Sequence, residues 1–316
     1  MEPAEANSWK QRIKELAYQS GFSAIGFTSG AHLEGLKEYL EERIGLGYQL
    51  SFEDKDLQKR VDPKATWPLC ETVVALAYPL PLSVKPREGE GVLARSAVGE
   101  DYHRLVRKAL DSLISSITTA GWPGQGPLIQ VDTGPLNERA FAKRAGLGWI
   151  GKNQQLIIPG VGSFVVLALI LLDQALPSDE PMESRCGECT RCVQACPAQI
   201  LGQARFQASR CISYLTQSKE CLSESQQSSI GNRIFGCDTC QEACPHNRNR
   251  LDMEEELENA GEGIVDTRGV DLWDTQHLTK SQFMRQWKNS AAGWRGKGIL
   301  QRNAHLALQN LNMIKR

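Results

Sequence analysis

Cys186-Gly187-Glu188-Cys189-Thr190-Arg191-Cys192-Val193-Gln194-Ala195-Cys196-Pro197 is the stretch whose reading decides what this chain is. Its Cys-x2-Cys-x2-Cys-x3-Cys-Pro spacing is that of a run binding 4Fe–4S clusters. In such a run three thiolates hold one cluster and the fourth reaches to a second. The short steps let a tight turn present successive sulfurs to corners of one cubane. The longer step and the proline redirect the chain. A second copy begins at Cys237-Asp238-Thr239-Cys240-Gln241-Glu242-Ala243-Cys244-Pro245. Its first ligand would fall where Ile234 stands, so one thiolate must come from elsewhere. Cys211 and Cys221 are the nearby candidates, and spacing leaves the choice open. The implied pairing is Cys186, Cys189, Cys192 and Cys244 on one cluster. The other takes Cys196, Cys237, Cys240 and either Cys211 or Cys221.

Only one of the ten cysteines, Cys70, precedes Cys186. A disulfide scaffold would not leave so much chain without partners, so the clustering points to metal. Structural zinc also uses Cys-x2-Cys pairs. Two endings that each lend their last cysteine to the other site do not suit it. Cys70 reads as a small buried hydrophobe.

With 316 residues, 41% of them hydrophobic, the chain can build one large or two ordinary domains. A net charge of −1 points to no polyanionic partner by bulk attraction. The longest apolar stretch, from Val161 to Leu172, falls short of the ~18 residues a membrane helix needs. The acidic start, Met1-Glu2-Pro3-Ala4-Glu5, lacks the apolar run of a signal peptide. A cytoplasmic location is the expectation.

Apolar periodicity predicts helices over residues 8–20, with Ser8 as N-cap, and over 32–43, 101–120 and 137–145. Strands are predicted at 23–27, 71–78 and 128–131. Two more, 154–158 and 163–172, are joined as a hairpin through Pro159-Gly160-Val161-Gly162. This alternation makes residues 1–175 an α/β or α+β domain. Residues 176–185 read as a linker, 176–250 as the cluster domain and 251–316 as a helical tail. From Thr275 to Arg316 there is no acid. Lys288, Arg295, Lys297 and Arg302 there are candidates for phosphate contact, against the plainer reading of a solvated face.

Two clusters make an electron wire, and the wire's terminus belongs in residues 1–175. There Val131-Asp132-Thr133-Gly134-Pro135 follows a short strand. A helix pattern comes next, then Gly148-Trp149-Ile150-Gly151-Lys152-Asn153. An acid at a strand end and a glycine-rich turn with Lys152 and Asn153 suit a small-molecule or phosphate site. Asp132 alone reads equally as a helix cap. No Rossmann or Walker motif is present.

Together, 131–153, the first cysteine run, Arg210-Cys211-Ile212-Ser213-Tyr214-Leu215-Thr216 and Ile234-Phe235-Gly236-Cys237-Asp238-Thr239-Cys240-Gln241-Glu242-Ala243-Cys244-Pro245 resemble the epoxyqueuosine reductase family. Arg60-Val61-Asp62-Pro63 and Gly99-Glu100-Asp101-Tyr102-His103 are similar to its N-terminal motifs. The resemblance runs along nearly the whole chain. It implies an α+β protein: an α/β cobalamin-binding domain similar to reductive dehalogenases, a bacterial ferredoxin-like domain with two 4Fe–4S clusters, and a short helical C-terminus. It implies reduction of epoxyqueuosine at the wobble position of tRNA, with electrons passing through the clusters to cobalamin. Cys211 becomes the missing ligand and Asp132 the proton donor. Arg60, Asp132, Arg139, Lys152, Asn153, Ser163, Thr216, Cys237 and Asp238 become cofactor contacts. The implied partners are a tRNA with a queuosine-type anticodon and an external electron donor. The molecule is expected to be a monomer without membrane contact. A reductive dehalogenase and a ferredoxin-type carrier are the alternative activities.

The chain departs from the family pattern in two places. Many members continue into a helical-repeat domain. Here Leu300-Gln301-Arg302-Asn303-Ala304 resembles the start of such a repeat shortly before Arg316. Some members carry a cysteine in the stretch that here reads Ala94-Arg95-Ser96-Ala97-Val98.

Overall fold

The computed structural model describes residues 1–260 and 266–314. The chain forms two compact units. One holds Met1–Pro79 and His103–Glu188, the other Leu80–Tyr102 and Cys189–Arg316. The linear boundaries read from the sequence, at 175 and 250, do not follow this division. Pro79 and Pro81 flank Leu80, but a proline marks the end of a strand and does not say that the chain changes unit.

The first unit is built on a four-stranded sheet in the order Ala24–Ser29, Thr72–Pro79, Val165–Leu172, Leu128–Val131, with all neighbours antiparallel. The two long strands are central because their runs are apolar on both faces. Residues 72–77 are all buried. Val73, Ala75 and Ala77 meet Phe141, Ala142 and Ala145 of the helix Glu138–Arg144 and its cap in one core. Val74 and Leu76 alternate to the other face and are equally inaccessible. Asn137 caps the Glu138 helix by accepting the Ala140 N–H at 3.2 Å. That helix therefore presents its first turn, and Glu138, beside the end of the Leu128–Val131 strand.

Two local expectations are corrected. The first helix starts at Pro3, not after Ser8, because Pro3 occupies the first turn where a missing N–H costs nothing. The hairpin does not form. Leu156–Ile157 pairs with Trp149–Ile150, while Val165–Leu172 pairs with the two sheet strands. The Pro159–Gly162 turn closes only the single bridge from Ile158 to Gly162. The 176–185 stretch is tied down as well. Asp179 accepts from Lys10 Nζ at 2.7 Å and from the Phe27 N–H at 3.0 Å.

In the second unit a small sheet has the order Arg233–Phe235, Gly91–Leu93, Gly269–Val270. The helix Lys297–Ile314 covers it, burying Leu300, Ala304 and Ala307 against Ile234 and Leu93. Asn303, fully buried, donates to the carbonyls of Thr216 at 2.7 Å and Ile234 at 2.8 Å. One amide thus clamps the segment after Cys211 to the strand before Cys237. Asn303→Ala strands two buried carbonyls and should cost about 3 kcal/mol, read by chemical denaturation. A loss below half a kcal/mol removes the clamp from the account.

Three of the four bases suggested for phosphate contact are engaged inside this unit. Arg302 donates to the carbonyls of Ser218 and Leu215, Arg295 to that of Gln217, and Lys297 to that of Leu278. Lys288 is exposed. No helix among the described residues is long and apolar enough to cross a membrane.

Candidate active site and metal centre

In the second unit, Cys192 rides on the helix Arg191–Ala195 and Cys240 on Thr239–Glu242, and these two helices pack together. Cys196 follows the first helix and Cys237 precedes the second. Cys211 caps the short helix Ile212–Leu215. Burial pushes the Cys211 thiol up to about 11, with Cys237 and Cys196 adding to the rise. Burial also raises Cys240, helped by Cys237, Cys211, Asp238 and Cys196. Cys196, Cys211, Cys237 and Cys240 therefore share one neighbourhood, the company that the family resemblance gives Cys211. Cys221 is exposed and Cys70 buried, and no cysteine is in a disulfide. Among the described residues no three His, Cys, Asp or Glu side chains converge at the reach of one metal ion.

The backbone entering Cys237 is locked. Gly236 has φ +70°, and a Cβ there would lie 2.5 Å from that of Ala94. Its N–H donates to Thr216 Oγ1 at 2.9 Å. Thr216, expected beside the cofactor, is fully buried, and its hydroxyl also donates to the Ser213 carbonyl. It is a tie behind the ligand loop. Asp238 is likewise an anchor. Its Oδ2 accepts from the Arg95 N–H at 2.8 Å and its Oδ1 from Gln241 Nε2 at 3.1 Å. Arg95, 1% exposed, also reaches Glu242 and Glu254. A buried cation ringed by carboxylates holds the ligand helix in place, and breaking it leaves uncompensated charge. Arg95 was missed because the stretch around it drew attention only for its lack of a thiol.

In the first unit the turn after Trp149 serves the first cysteine. Against its burial, bonds from the Lys152 backbone, Trp149 and Ser184 hold the Cys186 thiol below its usual range. Lys152, expected at a cofactor, donates its ammonium to the Gly187 carbonyl at 2.7 Å. Asn153 is 3% exposed. Its Oδ1 accepts from the Gln155 N–H, and its Nδ2 donor has no partner among the described residues. Ser163 is buried in the turn before the Val165 strand. Arg139 donates to the Gln154 carbonyl, joining the Glu138 helix to this turn. Its guanidinium shares its surroundings with Arg43, Arg60 and Glu53. Glu53 bridges Arg43 at 2.9 Å and Arg60 at 2.8 Å.

Asp132 ends the Leu128–Val131 strand in a left-handed conformation, φ +53°, which strains a non-glycine residue. Its side chain is 56% exposed, and Oδ2 lies 3.3 Å from His103 Nε2. The loop beyond it closes on Gln130, which donates to the Leu136 carbonyl and accepts the Leu136 N–H. Gly134 is required there, since a Cβ would fall 2.1 Å from the Gln130 amide. Glu138 accepts the Asp132 N–H at 2.7 Å and Gln130 Nε2 at 3.1 Å. Burial pushes its carboxyl up to about 7, and the charge on Asp132 adds to this. His103 and Glu138 were missed by sequence reasoning. Each looks like an ordinary first-turn helix residue, and only tertiary structure brings them to Asp132.

A paired set of cluster-binding cysteine motifs and a strained, exposed carboxylate backed by a second carboxyl define an iron–sulfur oxidoreductase. Residues 185–247 match the family described as 4Fe-4S double cluster binding domain, and residues 60–133 match Epoxyqueuosine reductase QueG, DUF1730. The epoxyqueuosine reductase of Staphylococcus aureus is 37% identical over 96% of this chain and 81% of its own length. A crystal structure of epoxyqueuosine reductase with an epoxyqueuosine-modified tRNA-Tyr stem loop superposes with a TM-score of 0.85. It is 36% identical over 96% of this chain and 81% of that one. The Bacillus subtilis enzyme, solved with its catalytic loop swung out of the active site, gives 0.84 at 33% identity, over 96% of this chain and 82% of its own. The chain belongs to the epoxyqueuosine reductase family, and it carries two 4Fe–4S clusters.

Proposed function

We propose that this protein reduces epoxyqueuosine to queuosine at the wobble position of tRNA, with cobalamin receiving electrons through the two clusters. The observation that carries this reading is the match of nearly the whole chain to relatives bearing that name, one of them solved with the modified stem loop. The net change adds two electrons and two protons to the epoxide and releases its oxygen as water, leaving an alkene. An external donor supplies the electrons, and the proposed setting is the cytoplasm.

The first unit fits such a cofactor in its donor set. Asn153 offers a buried amide donor without a partner, beside the turn that Arg139 joins. Both suit the amide carbonyls on a corrin rim. Arg60 holds the same region through Glu53, and its carbonyl accepts the Asn137 N–H at 3.0 Å. Bound cobalamin supplies low-potential cobalt chemistry at the epoxide carbon. Asp132 does the protein's part of the chemistry, giving a proton to the oxygen as it leaves. Without that proton the oxygen would depart as a poor alkoxide. Because Asp132 is half exposed, the protein alone does not bury it; bound cofactor and substrate complete its surroundings. The modified base has to leave the anticodon stack to reach it, as enzymes acting on bases commonly require.

The test is to incubate anaerobically reconstituted, cobalamin-loaded and reduced protein with epoxyqueuosine-containing tRNA, then digest and weigh the nucleosides. Queuosine should replace epoxyqueuosine. Unchanged tRNA from fully loaded protein removes the reading.

A further inference from the structure

We propose that Glu138 is the positioning residue for Asp132: it latches the backbone of the donor loop and sets its own carboxyl beside the donor, so that the two hold and release a proton as a pair. This rests on the role given to Asp132 above and deepens it.

The geometry is specific. Glu138 is the first residue of its helix, and it faces back across the loop, receiving the Asp132 N–H and the Gln130 amide. The same Gln130 closes the loop from its other side. Gly134 permits that closure and Asn137 caps the helix. Asp132 is thereby held at a positive φ that it would not keep alone. The charged and titratable groups facing Glu138 are Asp132, on the loop, and His103, on the helix Tyr102–Thr119; Gln130 is neutral.

Two carboxyls so joined titrate as a pair. Burial, and after it the charge on Asp132, push Glu138 up to about 7. The pair therefore retains one proton toward neutrality. Asp132 is its exposed member and delivers that proton: its O–H bond breaks as the oxygen–hydrogen bond on the leaving group forms and the carbon–oxygen bond opens. The doubly charged pair then recovers a proton from water.

Glu138→Gln keeps an acceptor for the Asp132 N–H but removes the charge. The alkaline limb of the pH–rate profile, scaled to each protein's own plateau, should move down by about one pH unit, the size of an ordinary close-charge effect. In the apoprotein, the Asp132 carboxyl followed by 13C NMR should titrate in two coupled steps, and in one lower step after Glu138→Gln. A second reading comes from stability. The raised carboxyl penalises the fold only when charged, so the penalty is absent below about pH 4 and full above about pH 7. Glu138→Gln should therefore raise the apoprotein's Tm at alkaline pH and leave it unchanged at about pH 4. Superimposable pH–rate profiles, or a single-step Asp132 titration in the unmodified apoprotein, overturn the proposal. The NMR arm needs no variant to fold. If Asp132→Asn remains active, the role of Asp132 fails. If Asp132→Asn is inactive and the profiles superimpose, only the role of Glu138 fails.

Discussion

Cys211→Ala leaves about four irons per chain in place of about eight and stops reduction of the tRNA, whereas Cys221→Ala leaves both unchanged. The contrast follows from environment. Cys211 is sunk among Cys196, Cys237 and Cys240, where burial and neighbouring thiols drive its own thiol up to about 11. A thiol held neutral so firmly gives up its proton when a cluster's positive iron meets it. Cys221 lies exposed. With three thiols left, the second site lacks a corner and electrons have no route onward. Iron analysis with the visible spectrum of anaerobically reconstituted protein checks this. Full iron in Cys211→Ala with half in Cys221→Ala would reverse the assignment.

Asp132→Asn should lower the single-turnover rate by about 10²–10⁴-fold, the usual worth of a positioned proton donor. Iron content and cobalamin loading should stay as they are, since the amide is nearly isosteric and both Glu138 and His103 remain. Affinity for tRNA should also hold. The loss belongs to the breaking of the carbon–oxygen bond, not to docking of a large polyanion. A variant that turns over at the unmodified rate excludes Asp132 from the mechanism.

The double-cluster region, matched over residues 185–247, was legible because cysteine spacing within one turn is a local property of the chain. The two central strands were legible for a similar reason. A run such as Thr-Val-Val-Ala-Leu-Ala-Tyr has no polar face and must be covered on both sides. The failed hairpin shows the limit. Pro159-Gly160-Val161-Gly162 is a sound turn, but a turn does not choose partners. Val165–Leu172 had more apolar surface to bury between two longer strands than against Leu156–Ile157.

At the candidate site Asp132 was visible in the sequence and its neighbours were not. His103 and Glu138 reach Asp132 through packing, and neither the Gly99–His103 block nor an Asn-Glu helix start announces that. Thr216 and Asp238 carry a second duty that the sequence did not announce. A polar residue beside a ligand motif reads as a cofactor contact, yet both complete the backbone bonding that holds the motif rigid. Such framework duty follows from the need to satisfy every buried N–H and carboxylate.

The segment Leu80–Tyr102 leaves one unit, supplies the middle strand and Arg95 to the other, and returns. Neither half can therefore be obtained by cutting the gene once. A fragment starting near Cys189 would lack its central strand, and one ending there would carry an orphaned insert. During synthesis the Gly91–Leu93 strand emerges from the ribosome long before its partner at Arg233–Phe235 exists, so the cluster-bearing half waits for the last part of the chain.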